Sequence, residues 1–390
     1  MAYTLALQTP ESPVKEEWLW TTDLMSSYAG QEDRIPLNRY PKRTFSGSYI
    51  FDRAQDVRRH MAFMFSRFGT LFQVPLYQYQ VKLKAPVDAG DTSVPVNATR
   101  SDFRAGRGAF IVEGDKFESV TVDSVAVDAV TLTAPLVNAY SSRAIICPLT
   151  VAYTTTGSGI ARTSGDAGGS ASYRYMEREP WAPFLSPLNE AEVTMVDGKA
   201  VLEINAVGNQ FDAAVDTGII IADYIGLPDL FSPWDQSQWA FPLRWQANRV
   251  LDLDAWLWWY AFADHVQGSS VPFLLPTHRA DLEVVNPVAG GGNAVTVAGD
   301  EYSQHYWGLD TFKRIVIDSD AGRHYALVTG ISSVSGDDRL TFSPALPAGA
   351  GWNVNQRIEY LLKVRIADDK ITCDHYGLHT EVSMSLRTVT

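Results

Sequence analysis

The stretch Phe45-Ser46-Gly47-Ser48-Tyr49-Ile50-Phe51 runs into Asp52 and a helical segment ending at Phe68, then Gly69 and the apolar run Phe72-Gln73-Val74-Pro75-Leu76-Tyr77. The same order returns in the second half. Pro242-Leu243-Arg244-Trp245-Gln246 continues through Leu251 to Asp252 and Asp254, a helical segment ending near Val266, then Gly268 and Val271-Pro272-Phe273-Leu274-Leu275-Pro276. Asp52 falls on Asp252 and Pro75 on Pro272 at a nearly constant spacing, the mark of an internal duplication. The likeness continues downstream. Ser119 to Val125 and Leu132-Thr133-Ala134-Pro135-Leu136 mirror Ala326 to Ile331 and Leu340 to Leu346. Each half therefore follows one plan: a strand or hairpin, one helix, a strand beginning Val-Pro, then a small all-β module.

In the first helix, Val57, Met61, Met64, Phe65 and Phe68 recur at helical spacing, with Arg58, Arg59 and Arg67 on the other face. Asp52 with Gln55 three residues on has the form of an N-cap box. The second helix, Ala255 to Ala263, is apolar nearly all round and needs cover on more than one side, which a subunit interface could supply. The modules, roughly Val81 to Tyr153 and Asp281 to Val364, alternate apolar and polar residues as strands do, with turn signals such as Glu113-Gly114-Asp115 and Ser335-Gly336-Asp337. Between the halves, Thr154 to Ser172 is rich in Gly, Ser and Thr and reads as a flexible loop or loosely held hairpin tip. Pro180 to Pro187 reads as a link, and Asp197-Gly198 as a type I′ hairpin turn.

The expected fold is mainly β: two repeated β-sandwich or split-barrel units, each with one flanking helix, plus small inserted β-barrel modules. The expected organisation is a first unit over 1–80 with returning strands from 154–185, a first module over 81–153, a second unit over 186–280 with returning strands from 365–390, and a second module over 281–364.

Composition narrows the function. With 390 residues, 46% hydrophobic and 20% charged, the chain has the make-up of a folded protein with a sizeable core. Its 45 acidic against 32 basic residues give a formal charge of −13, which opposes any role in gripping nucleic-acid phosphates. Met1 to Pro13 has no basic segment followed by an apolar core, and Ala255 to Ala263 is too short to span a bilayer, so a soluble protein made in the cytoplasm is expected. Cys147 and Cys373 offer neither a disulfide framework nor a paired-thiolate motif, and both are expected to be reduced and structural.

Searching for chemistry returns little. Gly198-Lys199 lacks the rest of a phosphate loop, Gly157-Ser158-Gly159 lacks the third glycine of a dinucleotide fingerprint, and no nucleophile elbow occurs. Cys373, His375 and His379 have zinc-binding side chains but no fourth ligand and no usual spacing, so surface histidines beside a buried thiol are the expectation. Asp252 and Asp254 suit a divalent cation in type, yet just before a helix they are expected to cap its free amides. The 11 Trp, 17 Tyr and 17 Phe could line a sugar-binding groove flanked by two carboxylates, but they cluster in the repeats, where packing is the expected use. No residue is assigned as catalytic, cofactor-binding or metal-ligating, and no cofactor is expected.

Trp18-Leu19-Trp20-Thr21-Thr22-Asp23-Leu24, then Gly30-Gln31-Glu32-Asp33-Arg34-Ile35-Pro36-Leu37 and Pro41-Lys42-Arg43-Thr44-Phe45, resembles the opening of siphophage distal tail and tail-tip (baseplate hub) proteins. In those proteins a Trp-x-Thr-Asp segment precedes Gly-x-Glu-x-Arg-Ile-x-Leu and a Pro-Arg/Lys. The likeness extends through Val74-Pro75-Leu76-Tyr77 to about Thr150 and covers the first half best. The resemblance implies a non-enzymatic virion component built on the tail-tube type of domain. It would assemble as a ring around the DNA channel, with the tail tube, the tape measure and other tip proteins as partners. The second half departs from the pattern in lacking the Gly-x-Glu-x-Arg-Ile segment. Within these 390 residues the C-terminal segment lacks the cysteine group that some hub proteins use for an iron–sulfur cluster, and no peptidase or lysozyme-like domain is expected.

Two units per chain let three chains present six similar units, so a homotrimer is expected ahead of a hexamer. DNA is expected to pass through the ring without specific binding. The alternatives from other classes are a carbohydrate-binding receptor module and a glycan-degrading enzyme.

Overall fold

The computed structural model describes residues 10–11, 13–27, 31–67, 69–114, 116–156, 158–162, 167–178, 193–203, 214–216, 220–222, 229–231, 237–248, 253–286, 288, 290–319, 322–348, 357–377 and 379–389. The fold is mainly β.

The first half runs β1 (Val14–Leu19), β2 (Thr22–Ser26), β3 (Glu32–Pro36), β4 (Lys42–Arg53), α1 (Ala54–Ser66) and β5 (Phe72–Pro75). It continues with β6 (Val81–Lys82), β7 (Ser93–Pro95), β8 (Gly108–Glu113), β9 (Lys116–Val125), β10 (Ala129–Leu132), β11 (Ile145–Thr154), β12 (Gly159–Arg162) and β13 (Ala167–Glu177). Then come β14 (Met195–Val196), β15 (Lys199–Ala200), β16 (Ala214–Asp216), β17 (Ile220–Ala222), β18 (Asp229–Phe231), β19 (Gln238–Asn248), α2 (Leu253–Val266) and β20 (Phe273–Pro276). The last elements are β21 (Val284–Asn286), β22 (Ala294–Val297), β23 (Arg314–Ser319), β24 (Gly322–Val334), β25 (Asp337–Ser343), β26 (Arg357–Tyr376) and β27 (His379–Thr388).

Pairing brings out the repeat. In the first unit the strand order is β1-β4-β13-β11-β5, and in the second it is β16-β19-β27-β26-β20, antiparallel throughout. The registers coincide as well. Ala152 faces Phe72 on one side and Glu177 on the other, as Val364 faces Phe273 and Thr388. Each module hangs from the first residues of the fourth strand of its unit, as β11-β8-β9-β10-β7 in one half and β26-β23-β24-β25-β22 in the other.

Equivalent aromatic pairs follow. Tyr49 meets His60 at 5.2 Å and 68°, and Trp245 meets Trp259 at 5.1 Å and 69°. Phe63 meets Phe72 at 5.2 Å and 84°, and Phe262 meets Phe273 at 5.1 Å and 87°. These contacts make Val74-Pro75 the counterpart of Leu275-Pro276 and correct the alignment on Val271-Pro272. The Val-Pro pair ends β5 and precedes β20. A dipeptide match was outweighed by the registry of a whole strand.

Period-two burial explains β4. Phe45, Tyr49 and Phe51 point into the first core with Tyr173 and Tyr175 of β13, while Tyr49 stacks on Tyr173 at 4.6 Å. The Gly/Ser-rich segment is not a loose tip where it is described, since Gly159–Arg162 pairs with Gly169–Ser172. Its glycines answer to close approach: a Cβ on Gly168 would stand 1.4 Å from the Phe51 carbonyl oxygen. Asp52 does not cap α1. It still belongs to β4, which pairs as far as Arg53, and Arg53 takes the N-cap position with no side-chain cap. On α1, Val57 and His60 are buried, whereas Phe65 is 76% exposed. The Asp197-Gly198 turn does join β14 to β15, with both residues at positive φ. The link over Pro180–Pro187 lies outside the described residues.

The two halves differ in their cores. The first unit and its module keep separate clusters, one around Phe45, Phe72 and Tyr175, the other around Val94, Ile111 and Ile146. In the second half, unit and module share one core from Trp259 and Phe273 to Phe312 and Phe342, and it includes Trp18 and Trp20 from the first unit.

Candidate functional site

The place where chemistry concentrates is the junction of the two units. β1 lies between β4 of its own unit and residues 370–375 of β26, so one continuous sheet crosses from one half to the other. Trp18 leaves this strand fully buried and packs on α2, with Tyr260 at 5.0 Å and Trp259 stacked at 6.4 Å. Among the described side chains of α2, Trp256, Trp259, Tyr260, Phe262, Ala263 and Val266 are buried within the chain, in the core that its own sheet shares with Trp18 and Trp20.

Beside Trp18 lies a buried charge cluster assembled from five parts of the chain. Arg43 of β4 donates to both carboxylate oxygens of Glu177 on β13, at 2.7 and 3.0 Å, and its Nη1 reaches Asp102 at 2.9 Å and Glu16 at 3.4 Å. Glu16 of β1 accepts from the Trp18 indole at 2.9 Å and the Tyr79 hydroxyl at 2.8 Å. His375 of β26 holds Glu16 at 3.1 Å through Nε2 and Thr380 at 2.9 Å through Nδ1. Tyr79 also hydrogen-bonds Tyr260 of α2, and Thr150 donates to Glu177.

Burial alone would push the Glu16 carboxyl up, but the His375 hydrogen bond and the Arg43 charge outweigh it and hold the group at about 2. Glu177 is likewise pulled down, burial being overcome by Arg43, and Arg43 is held charged against burial by Glu177, Asp102 and Glu16. Every carboxylate here is committed to a cation and lies away from solvent, so the cluster supplies fixed charge and register rather than proton exchange.

A second set of contacts clasps the β2–β3 hairpin onto the second unit. Residues 367–370 interrupt the β26–β27 ladder, and within them Asp369 adopts φ 55°. Its carboxylate accepts from Thr22 N at 2.7 Å, Thr22 Oγ1 at 2.8 Å and Ser269 N at 2.6 Å, while its carbonyl accepts from Trp20 N at 3.0 Å. Gly268 makes room, because a Cβ there would stand 2.6 Å from Asp369 and 2.8 Å from Trp20. Arg365 grips Glu32 through two bonds of 2.8 Å, and Arg39 reaches Asp264 on α2 at 2.9 Å. Two-point contacts of this kind fix geometry as well as attraction.

The residues weighed from sequence are placed differently. Cys373 and His375 are both buried in β26, the histidine committed to Glu16 and Thr380, so the expectation of two surface histidines fails for His375. His379 is exposed and stacks on Tyr376 at 5.0 Å. Among the described residues no three His, Cys, Asp or Glu side chains are disposed to hold a metal. Cys147 and Cys373 are unlinked and buried. Asp252 and the side chain of Asp254 lie outside the described residues. Trp18, Trp20, Trp245, Trp256 and Trp259 are buried in the core rather than arrayed along a groove. No helix of the described residues is long and apolar enough to cross a membrane.

Glu16, Arg43, Asp102, Glu177 and His375 were not singled out from sequence as a group. A signal existed in Glu16 and Arg43, each of which takes an inward place of a strand whose neighbouring inward places are Val14, Trp18 and Phe45. No family model matches this sequence, and no curated protein matches it either.

Proposed function

We propose that the chain is a ring-forming structural subunit of a bacteriophage tail tip, a distal tail or baseplate hub protein that encircles the DNA channel and joins the tail tube to the tip. The observation that carries the reading is the strand junction: one unit receives an edge strand and a hairpin from the other, which is how a row of like units extends into a wall. The resemblance of the segments from Trp18 to Phe45 to siphophage tail proteins points the same way. In this reading the role is architectural, the machinery being interfaces rather than an active site. Three chains then supply six units, which suits a six-fold tube on one side and a three-fold tip on the other.

A channel wall must let DNA slide without holding it, and a basic lining would bind phosphates in a salt-dependent way. The formal charge of −13 suits a non-adhesive wall. Arg58 and Arg59 are exposed on α1, and in this reading they face solvent or neighbouring subunits rather than the lumen. The test is proteomic and structural: the chain is expected in purified virions at a fixed multiple of three copies, in a ring at the tail end with a net acidic lumen. Its absence from virions, or a lumen lined mainly by Arg and Lys, overturns the reading.

A further inference from the structure

The internal junction has two sides, and the duplication provides each side a second time. On the donor side, register equates Glu17 with Ala214, because Thr44 pairs with Glu17 and Met176 as Ala240 pairs with Ala214 and Arg387. β16 is therefore the counterpart of β1. The β17–β18 hairpin after it is the counterpart of β2–β3, a likeness the sequence repeats as Tyr28-x-Gly30-x-x-Asp33 and Tyr224-x-Gly226-x-x-Asp229. The second half thus keeps the element that seemed missing with the Gly-x-Glu-x-Arg-Ile pattern.

On the acceptor side, β12 is the counterpart of residues 371–376 of β26. The β11 ladder with β13 breaks after Thr154 and resumes at Gly159, as the β26 ladder with β27 breaks after Ile366 and resumes at Ile371. In β26 the far edge of this segment carries β1. Among the described residues, β12 pairs with β13 alone and β16 with β19 alone.

We propose that β16 of one copy of this chain pairs antiparallel with the outer edge of β12 of the next, Ala214 opposite Gly159, with the β17–β18 hairpin folding over α1 of that neighbour. The contact is head-to-tail, so it propagates from copy to copy, and in the ring reading it closes with every unit lending an edge strand to the next. The inference rests on the ring reading and names its missing interface.

Surface chemistry agrees on the occupant. Val215, the counterpart of fully buried Trp18, is 58% exposed, and on the acceptor side Ile50 is 57%, Ile160 36% and Phe65 76% exposed. A cleft beside β12 is lined by Ile50, Ala161 and Gly169. Both sides have changed character together. Asp264, which Arg39 grips at the internal junction, corresponds to Phe65, and Arg365, which grips Glu32, corresponds to Tyr153. On the hairpin, Glu32, which Arg365 grips, corresponds in sequence to Pro228. An ionic clasp within the chain thus becomes an apolar pairing between chains, which also keeps the donor hairpins from exchanging sites. Two strand edges unpaired among the described residues and an apolar rim in one chain are a hazard that pairing with a second copy removes.

The test is disulfide trapping in the full chain, with Ala214→Cys and Gly159→Cys together, and Val215→Cys with Ser158→Cys as a second pair in case the first fails to fold. Facing residues of an antiparallel pair lie within disulfide reach. Oxidation is expected to convert the 43.1 kDa chain into a ladder of covalent multiples ending at the ring, reversed by thiol and absent when either cysteine is present alone. Rings that form without cross-linking in either pair overturn the edge assignment and leave the ring reading standing. A chain that stays at 43.1 kDa by native mass, in solution and in virions, overturns both.

Discussion

Two copies of one strand edge can be compared in this molecule, one paired with the other unit and one, among the described residues, unpaired. In the paired copy β1 brings Trp18 onto α2, and a carboxylate beside it completes a buried network with Arg43 and His375. In the other β16 brings Val215 to the surface, and α1 offers Phe65 to solvent. The lesson is a division of labour between duplicated halves. The copy that holds within the chain carries tryptophan and ion pairs, and the copy proposed for assembly carries exposed apolar side chains such as Val215 and Phe65.

The comparison is broken most sharply at Arg43. Arg43→Met leaves Glu16, Glu177 and Asp102 buried without their shared cation, and removing one partner of a buried ion network costs about 3–5 kcal/mol. Urea titration is expected to show a loss of that size, and a change under about 1 kcal/mol would remove the network from the account.

Trp18→Ala against Val215→Ala comes next. The first empties a fully buried site in the junction and is expected to lower chain stability by about 3–5 kcal/mol. The second removes an exposed side chain and is expected to leave chain stability within about 0.5 kcal/mol while weakening assembly. Equal effects on the isolated chain would abolish the distinction between the two copies.

Acid provides the finest cut. The Glu16 carboxyl has an ordinary value of 4.5 and is held at about 2 in the fold, so its contribution is complete above the unfolded value and disappears as pH falls through the folded one. The shift corresponds to about 3 kcal/mol lost between those limits. Glu17, Glu32 and Glu177 are also depressed, each by a cation that outweighs burial, and add to the same slope. Glu16→Gln is expected to flatten part of it, which denaturant midpoints across this pH range would measure. An unchanged slope would mean that Glu16 is not held as described.

Much of the architecture was legible because it repeats. Phe45 to Phe51, the amphipathic helix after it and Phe72 to Tyr77 are local patterns, and a duplicate elsewhere in the chain doubles their weight. The junction was not legible, because Glu16 meets His375 and Trp18 meets Tyr260 across most of the chain, and strand pairing between distant segments leaves no spacing to read. The hairpin expected over Thr154 to Ser172 is present as β12 and β13, and only its looseness over Gly159–Arg162 was misjudged, for a related reason. Glycine and serine mark flexible chain and close strand approach alike, and only the nearness of Phe51 to Gly168 tells them apart. The hairpin after β16 was overlooked because Asp23 and Arg34 of its counterpart are replaced by Ile220 and Leu230, so the Gly-x-Glu-x-Arg-Ile pattern does not recur there.

Imaging of the assembled ring at side-chain resolution tests the central claim most directly. The account predicts three chains and six alternating units, each joined to the next by a strand lent to its edge, with β1 on β26 inside every chain and β16 on β12 between chains. A ring whose chains meet through other surfaces, leaving the β12 edge bare, would contradict it.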